Sequence, residues 1–409
     1  MTLSVRDLIF IPSLYAFMFI TVFDPGDVVL GLKVPLFLLC IAAGSLICLK
    51  DPSKINIPNS LIFYVLLFVS IPLFSIFIYY LKDGSEPFEG FSMLKGYLFI
   101  FLTIILVITK FDATKFLSNI LLIMAICIIS LFVFLLIYPE YFDLLNFVGM
   151  QTQIFYPGKR SYDGIITFQQ AYFACSPMLV LAISYYFFKF RESNSHHKSY
   201  LFKLIICIIG LFLAGSRNNM FAAIFLPLAL YILFSKKNIS SFVIVLSTFS
   251  VFLMIFANQL LSFLDPSEYS NQSKISYIPD YIDIFSDLSN LFVGQGLGAY
   301  HKFTIFYEPY FITELTYFEL IRNFGLFLGF IMLVMLIYPI YISFKLGQGY
   351  ELQKHIAVGY FFYLIMNFTN PNLFSSMGIL ILCIVLTGIY LDHKKNYSKI
   401  YKKSSYLGN

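Results

Sequence analysis

The chain has 409 residues, of which 59% are hydrophobic and 12% are charged, and its mean hydropathy is +0.82. A soluble core of this size cannot bury so much apolar surface, so the composition excludes an ordinary soluble protein and predicts a polytopic membrane protein. The net charge of +5 comes mostly from basic residues at predicted helix ends and in the tail, which gives no reason to expect nucleic acid as a partner.

Apolar runs of about 17 to 25 residues are long enough to cross a bilayer as helices. They predict an all-α polytopic membrane protein with about twelve transmembrane helices and two larger periplasmic loops. The predicted spans are 8–23, 34–49, 60–81, 91–109, 116–138, 168–188, 201–214, 219–234, 240–263, 317–343, 355–369 and 373–391. The predicted segments are a helical scaffold at 1–138, a first loop at 139–167, helices at 168–263, a large loop at 264–316, helices at 317–391 and a basic tail at 392–409.

The distribution of lysine and arginine predicts the orientation of these helices. With both termini in the cytoplasm, 18 of the 27 basic residues lie on the cytoplasmic side. The other nine are better functional candidates, because the topology does not explain them: Lys33, Lys82, Lys95, Lys159, Arg160, Arg217, Lys274, Lys302 and Arg322. The six cysteines lie in apolar runs without CxxC spacing, so neither a disulfide framework nor a zinc site is predicted, and no cofactor is expected.

Two of these nine cations are adjacent in the first loop. Pro157-Gly158 predicts a turn that presents Lys159 and Arg160, and a helix is predicted to open at Phe168. Two readings stay open for the pair: an anion-binding site, or a solvated pair with Asp163 as its local partner.

Arg217 lies in the short connection Gly215-Ser-Arg-Asn-Asn219 between two predicted helices. The connection is too short to carry a charge away from the bilayer. Arg217 therefore needs a partner or a water-filled cavity, and it is a functional candidate.

The large loop begins with a polar segment and continues with apolar residues at helical spacing from Pro279 to Phe292, which predicts an amphipathic helix lying over the bundle. Gly294, Gly296 and Gly298 follow. They allow tight turns, close approach to a ligand, or simply a flexible turn.

The stretch from Tyr300 to Phe311 interleaves aromatic residues with His301 and Lys302, a composition that suits both stacking on sugar rings and an interfacial aromatic belt. At the start of the next helix, Glu314 and Arg322 are eight residues apart, which is about 80° around a helix, so both can face one cavity. Glu319, three residues before Arg322, is the alternative partner of that cation.

Short motifs in these regions resemble those of the O-antigen polymerase and ligase superfamily, and in particular its Wzy-type polymerases. The motifs are Arg160-x-x-x-Gly164, Gly215-Ser-Arg217-Asn, Gly294-Gln-Gly296-x-Gly298-x-Tyr300 and Glu314-x10-Gly325. Ligases of the superfamily carry a histidine eleven residues before the glycine that corresponds to Gly325, and this chain has Glu314 there. The difference favours a polymerase over a ligase.

The resemblance implies a metal-independent glycosyl transfer at the periplasmic face of the bacterial inner membrane. A growing polysaccharide on undecaprenyl diphosphate would be the donor, and a hydroxyl of a lipid-linked repeat unit the acceptor. A flippase and a chain-length regulator of the same pathway would be partners, besides the bilayer itself.

Within that chemistry, Arg160 and Arg217 are expected to bind the diphosphate. Glu314 is the expected base, with Glu319 and His301 as reserves. The expected substrate-binding residues are Lys159, Arg322, Tyr300, His301, Gly296 and Gly298.

Two alternatives stay open. One is a ligase that transfers polysaccharide to the lipid A core. The other is a flippase or transporter, because about twelve helices with both termini inside is also a common transporter layout. Transporters usually carry internal repeats and broken helices near the bilayer midplane. The second half of this chain does not repeat the first, and its charges gather in the outer loops.

Overall fold

The structure is a computed structural model that describes residues 5–50, 57–83, 88–162, 166–193, 195–234, 269–303, 313–346 and 350–406. The predicted span at 240–263, Asp163, Gly164 and the aromatic residues from 304 to 311 lie outside the described residues.

Helices make up most of the described chain. They are α1 (Ile11–Phe23), α2 (Lys33–Lys50), α3 (Asn59–Asp83), α4 (Phe88–Leu98), α5 (Phe101–Ile108), α6 (Thr114–Ile137), α7 (Phe142–Thr152), α8 (Leu179–Glu192), α9 (His197–Leu213), α10 (Arg217–Phe234), α11 (Tyr269–Ser286), α12 (Leu288–Val293), α13 (Thr316–Lys345), α14 (Glu351–Met366) and α15 (Ser376–Tyr406). In the described part, 7 helical segments are long and apolar enough to cross a membrane. The chain is therefore a predominantly helical membrane protein.

A two-stranded antiparallel sheet departs from the all-α prediction. Strands β1 (Phe155–Tyr162) and β2 (Ile166–Phe173) pair in register, and the helix predicted to open at Phe168 begins only at Leu179. Pro157 and Gly158 lie within β1, so the prediction of a turn there is also wrong.

The cross-strand pairs give the physical reason for this hairpin. Phe155 lies opposite Phe173 with ring centroids 5.7 Å apart, and Tyr156 lies opposite Tyr172 at 6.4 Å. Pairing of aromatic residues across two strands stabilises a sheet. The apolar run of β2, read by hydropathy alone, looks like the start of a membrane helix.

The predicted amphipathic helix of the large loop is present but divided. It is formed by two helices, α11 and α12, with a break between them at Asp287. The Asp287 side chain caps the start of α12 by accepting a hydrogen bond from the Ser289 backbone at 2.9 Å. The buried face of the amphipathic helix packs in a small cluster separate from the main core: Tyr277, Tyr281, Ile284, Phe303 and Leu315. In its described part, the large loop therefore has a small apolar core of its own.

Helix α13 is kinked at Gly325, whose φ is +69°. The carbonyl of Arg322 accepts from the Gln295 backbone at 2.6 Å, and that of Asn323 accepts from the Ser75 hydroxyl at 2.6 Å. The Ser75 hydroxyl in turn accepts from the Leu297 backbone at 2.8 Å. The kink thus frees backbone carbonyls that hold the segment from 294 to 303 against α3 and the start of α13.

Candidate functional site

A cavity of about 920 Å³ lies at one end of the helical bundle. It collects residues from connections that the sequence predicts on the same side of the membrane. Among its lining residues are Pro25 and Gly26 between α1 and α2, Tyr156 and Tyr172 of the hairpin, Ser216 to Asn218 between α9 and α10, Asn271 and Lys274 of α11, Glu314 before α13, and Thr369 to Asn372 between α14 and α15. If successive spans alternate in direction as predicted, all of these connections lie on the same side of the membrane, which agrees with their meeting in one cavity.

Arg217 reaches the cavity from a tight turn. Gly215 adopts a φ of +72°, and the Ser216 hydroxyl accepts from the Asn219 backbone at 3.2 Å, so Arg217 becomes the first residue of α10. Its Nη1 donates to Oδ1 of Asn271 at 2.7 Å. Arg217 has both a partner and a cavity, as a cation in so short a connection requires.

Glu314 lies in the same cavity, beside Lys274. The Lys274 Nζ is 3.9 Å from Oε2 of Glu314, and the two side chains are 25% and 54% exposed. Glu314 is therefore accessible to a ligand in the cavity.

Arg322 does not share this cavity with Glu314, so the prediction that the two face one cavity is wrong. Helix α13 begins at Thr316, which means that Glu314 precedes it and the helical angle between the two residues does not apply. Arg322 is fully buried and forms a salt bridge of 2.7 Å with Glu319, which was its alternative partner.

The Glu319–Arg322 pair is the centre of a hydrogen-bond network. Arg322 also donates from Nη1 to the Ala299 carbonyl at 2.9 Å and to Oε1 of Gln295 at 3.3 Å. The Tyr281 hydroxyl donates to Glu319. Burial raises the pKa of Tyr281, and the neighbouring carboxylate adds to the shift, so the phenol keeps its proton and remains a donor. This network joins α11, α13 and the segment from 294 to 303.

The glycines of the large loop serve packing. Gly296 and Gly298 have φ values of +99° and +88°. A Cβ on Gly296 would lie 2.5 Å from the Tyr79 backbone nitrogen, and one on Gly298 would overlap the backbone of Gly90. Of the interpretations left open, the one that fits is a tight turn whose backbone closely approaches another part of the protein. For Gly296 that part is α3, and for Gly298 it is α4.

The remaining predicted site residues lie outside the cavity or outside the described side chains. The Lys159 ammonium is 4.5 Å from the centre of the Phe142 ring, and neither residue lines the cavity. Arg160 pairs in register with Phe168, and its side chain is not among those described.

Tyr300 and His301 lie on the segment that the Arg322 network holds. Tyr300 is 48% exposed, and its pKa is raised by burial and then by Glu89. The His301 ring is 4.9 Å from that of Phe303. Partial burial, followed by the charge of Arg322, lowers the pKa of His301, which keeps the imidazole neutral near pH 7. Neither residue lines the cavity.

Several cavity residues were given no role by the sequence reasoning. Lys274 was named among the nine outer cations, but no function was assigned to it. Tyr156 lay in the predicted first loop without a role, and Tyr172 lay inside the helix wrongly predicted to open at Phe168. Burial raises the pKa of Tyr172, and the nearby Cys175 and Glu314 add to the shift. The sequence does carry one signal for the cavity: the largely polar run 367–376, which separates two apolar segments and lies on the same predicted side of the membrane as Arg217.

The cavity therefore combines two cations, a carboxylate and neutral hydrogen-bonding groups. Arginine and lysine bind phosphate oxygens, and an accessible carboxylate can accept a proton from a hydroxyl. The tyrosine rings and the amides of Gln153, Gln170 and Asn372 can contact a polar ring. Among the described residues, no group of three or more histidine, cysteine, aspartate or glutamate side chains is arranged to hold a metal ion.

Comparison of the chain with protein-family models, with curated proteins and with solved structures finds no match.

Proposed function

We propose that the chain is a Wzy-type polysaccharide polymerase of the bacterial inner membrane, with about twelve spans and both termini in the cytoplasm. It joins repeat units carried on undecaprenyl diphosphate. The observation that carries the proposal is the convergence of Arg217, Lys274 and Glu314 on one cavity of about 920 Å³ at an end of the bundle.

The reaction divides naturally among these three residues. The hydroxyl oxygen of the acceptor unit attacks the anomeric carbon of the donor, and the bond from that carbon to the diphosphate oxygen breaks. The hydroxyl proton passes to the Glu314 carboxylate. The charge that develops on the leaving diphosphate is stabilised by the forked guanidinium of Arg217 and by the ammonium of Lys274.

The hairpin supports the same proposal. Tyr156, Gln170 and Tyr172 line the cavity and alternate along their strands with residues that do not. Arg160 occupies a position of the same parity as Tyr156 on β1, two register pairs beyond the Gly158–Gln170 pair. Arg160 therefore remains the second expected diphosphate ligand, and Lys159, of opposite parity, is the weaker candidate.

The volume of the cavity fits the size of the reactants. Small-molecule sites are typically about 300 to 1,000 Å³, and a cavity of about 920 Å³ is large enough for a diphosphate and the sugar residues on either side of the new bond. A periplasmic location of the cavity follows from the basic-residue count, because the lining connections are those predicted on the outer side.

The proposal is tested by deleting the gene in its bacterial host and separating the surface polysaccharide by gel electrophoresis. Loss of the ladder with retention of a single repeat unit is the result expected of a polymerase. Loss of every unit from the lipid A core would indicate a ligase or a flippase instead. An unchanged ladder would remove all three functions.

Sidedness needs its own measurement. Single cysteines placed at Gln153 and Asn271, which line the cavity, should react with an impermeant thiol reagent in cells whose outer membrane is permeabilised. A cysteine at Lys189, on the side predicted to be cytoplasmic, is the control and should react only after the inner membrane is broken. The opposite pattern would invert the topology and remove the mechanism.

A further inference from the structure

A second pocket, of about 230 Å³, adjoins the large cavity. The two share Pro371 and Ser375, which lie between α14 and α15. The smaller pocket extends from there between α4 and the first turns of α13. Its walls are mainly apolar, with the Tyr97 and Phe374 rings stacked at a centroid distance of 5.3 Å.

One buried amide oxygen in this pocket has no hydrogen-bond partner in the described part of the chain. Asn323 is 5% exposed and lines the pocket, and its Oδ1 has no hydrogen-bond partner among the described residues. Its Nδ2 is directed to Oε2 of Glu319 at 3.4 Å. Exchanging the amide oxygen and nitrogen would set an oxygen against that carboxylate, so the orientation is fixed and the free group is an acceptor.

A buried acceptor without a partner is destabilising, so a ligand that donates a hydrogen bond here is favoured. The Glu319 carboxylate and the Thr313 and Thr316 side chains line the same pocket. The Glu319 carboxylate is already paired with Arg322, so the lining offers two kinds of contact to a ligand: the Asn323 amide oxygen with the threonine hydroxyls, and the aromatic rings. A ring that carries hydroxyl donors on its rim and C–H groups on its face matches both.

The size of the pocket limits the ligand to one ring. An engineered apolar cavity of about 150 Å³ holds a benzene molecule. A pocket of about 230 Å³ therefore holds a six-membered ring with its substituents but no disaccharide.

We propose that this pocket is a subsite for a single sugar ring, with Asn323 accepting a hydrogen bond from one of the ring's hydroxyl or amide groups. The inference rests on the proposed function for the expectation that the ligand is a sugar. In the polymerase it would select one residue of the repeat unit and set its position relative to Arg217 and Glu314.

The test measures binding of methyl glycosides of common hexoses and N-acetylhexosamines to the purified full-length protein in detergent, by saturation-transfer NMR. At least one glycoside should bind the wild-type protein at millimolar concentration. Asn323→Leu should weaken that binding at least about tenfold, which corresponds to about 1.4 kcal/mol. Leu320→Phe, which fills the pocket and keeps the amide, should abolish it.

Gln353→Leu is the matched control. Gln353 is 6% exposed, its Oε1 likewise lacks a partner among the described residues, and it lies near the start of α14, whereas the pocket lies beyond that helix's end. This variant should bind as the wild type does. Thermal unfolding of each variant checks that the fold is retained.

The outcomes separate the sugar subsite from its alternatives. If no glycoside binds, or if binding is equal in all the folded variants, the pocket holds only water or a lipid chain and the inference fails. Because this measurement does not use polymerisation, it can fail while the ladder assay succeeds. The converse result, glycoside binding that is lost in Asn323→Leu together with an unchanged ladder in the deletion strain, would retain the subsite and reject the polymerase.

Discussion

Two groups of charged residues meet near the start of α13 but differ in exposure and in how completely their hydrogen bonds are made within the protein. Glu319 and Arg322 are 5% and 0% exposed, and their hydrogen bonds are made within the protein. Lys274 and Glu314 are 25% and 54% exposed, are separated by 3.9 Å, and share a large cavity with Arg217. The first group is closed, and the second is open to a ligand.

The difference shows how a charge that holds a fold is distinguished from one that is available for chemistry. In the closed group, desolvation of the ions is offset only because nearly every donor and acceptor is paired. In the open group, the ion pair is loose and partly solvated, so a ligand can replace it at low cost. The two groups contain the same types of residue, so residue type does not distinguish them. They are distinguished by the exposure of their side chains and by how many of their hydrogen-bonding groups are paired within the protein.

The largest effect should come from breaking the closed group. Arg322→Met leaves the Glu319 carboxylate buried without its cation, and removing one partner of a buried ion pair typically costs about 3–5 kcal/mol. We expect a collapse of folded protein in detergent, measured by thermal unfolding and by yield of monodisperse protein.

Lys354→Met is its matched control, because Glu351 and Lys354 form an ion pair at the same spacing of three residues, with side chains 49% and 18% exposed. Such an exposed pair is worth about 0–1 kcal/mol. Equal stability losses in the two variants would contradict the assignment of the Arg322 network as structural.

The open group should respond in activity and not in folding. Glu314→Gln should lower the rate of polymerisation by about 10² to 10⁴, the usual cost of losing a general base. The helix-dipole effect at this position is worth only about 0.3–1 kcal/mol, so thermal unfolding should change little. The rate is measured with purified lipid-linked repeat units at matched protein levels, and a rate within about threefold of wild type would remove Glu314 as the base.

Arg217→Lys tests whether the cation acts through its forked geometry. The charge is kept but bidentate binding of phosphate is lost, so we expect at least about a tenfold fall in rate. Arg191→Lys, on the exposed end of α8, is the control and should be neutral. A normal ladder from Arg217→Lys would leave Arg217 as a packing or topology residue.

The glycines of the large loop sharpen the comparison, because they hold the closed group in place. Gly296→Ala combines a left-handed φ with a clash against the Tyr79 backbone and should destabilise the protein by about 1–3 kcal/mol. Gly31→Ala has a φ of +62° but no neighbouring atom within 4 Å, so it isolates the backbone term and should cost less. Equal costs would mean that the close approach to α3 contributes nothing.

The smallest effect expected is a dependence of stability on pH through His301. Its pKa is lowered by burial and by Arg322, against the opposing effects of Asp280, Asp283 and Glu319. The unfolded chain therefore binds the proton more readily. The stabilising contribution is fully present above the unfolded pKa, about 6.5, and is lost as the pH falls toward the folded pKa.

His301→Gln should flatten this part of the stability profile, measured by thermal unfolding between about pH 7 and pH 5. An unchanged slope in the variant would show that His301 does not titrate differently in the folded and unfolded states.

The sequence by itself determined the membrane class, most of the described spans and which connections meet at the same end of the bundle. These features depend on local hydropathy and on the alternation of successive spans, which are readable along the chain. It also determined that Arg217, in a connection of five residues, would be kept at the edge of the bundle near a partner or a cavity.

Only the tertiary structure decided which charges belong together. Lys274 and Glu314 approach each other across 40 positions of sequence, and no periodicity encodes that contact. The hairpin at 155–173 was misread because paired strands and a membrane helix begin with the same apolar residues, and only pairing between strands separates them. Arg322 became structural because the kink at Gly325 and the turns at Gly294 to Gly298 bring Gln295 and Ala299 to its guanidinium, a contact made through space and not along the helix.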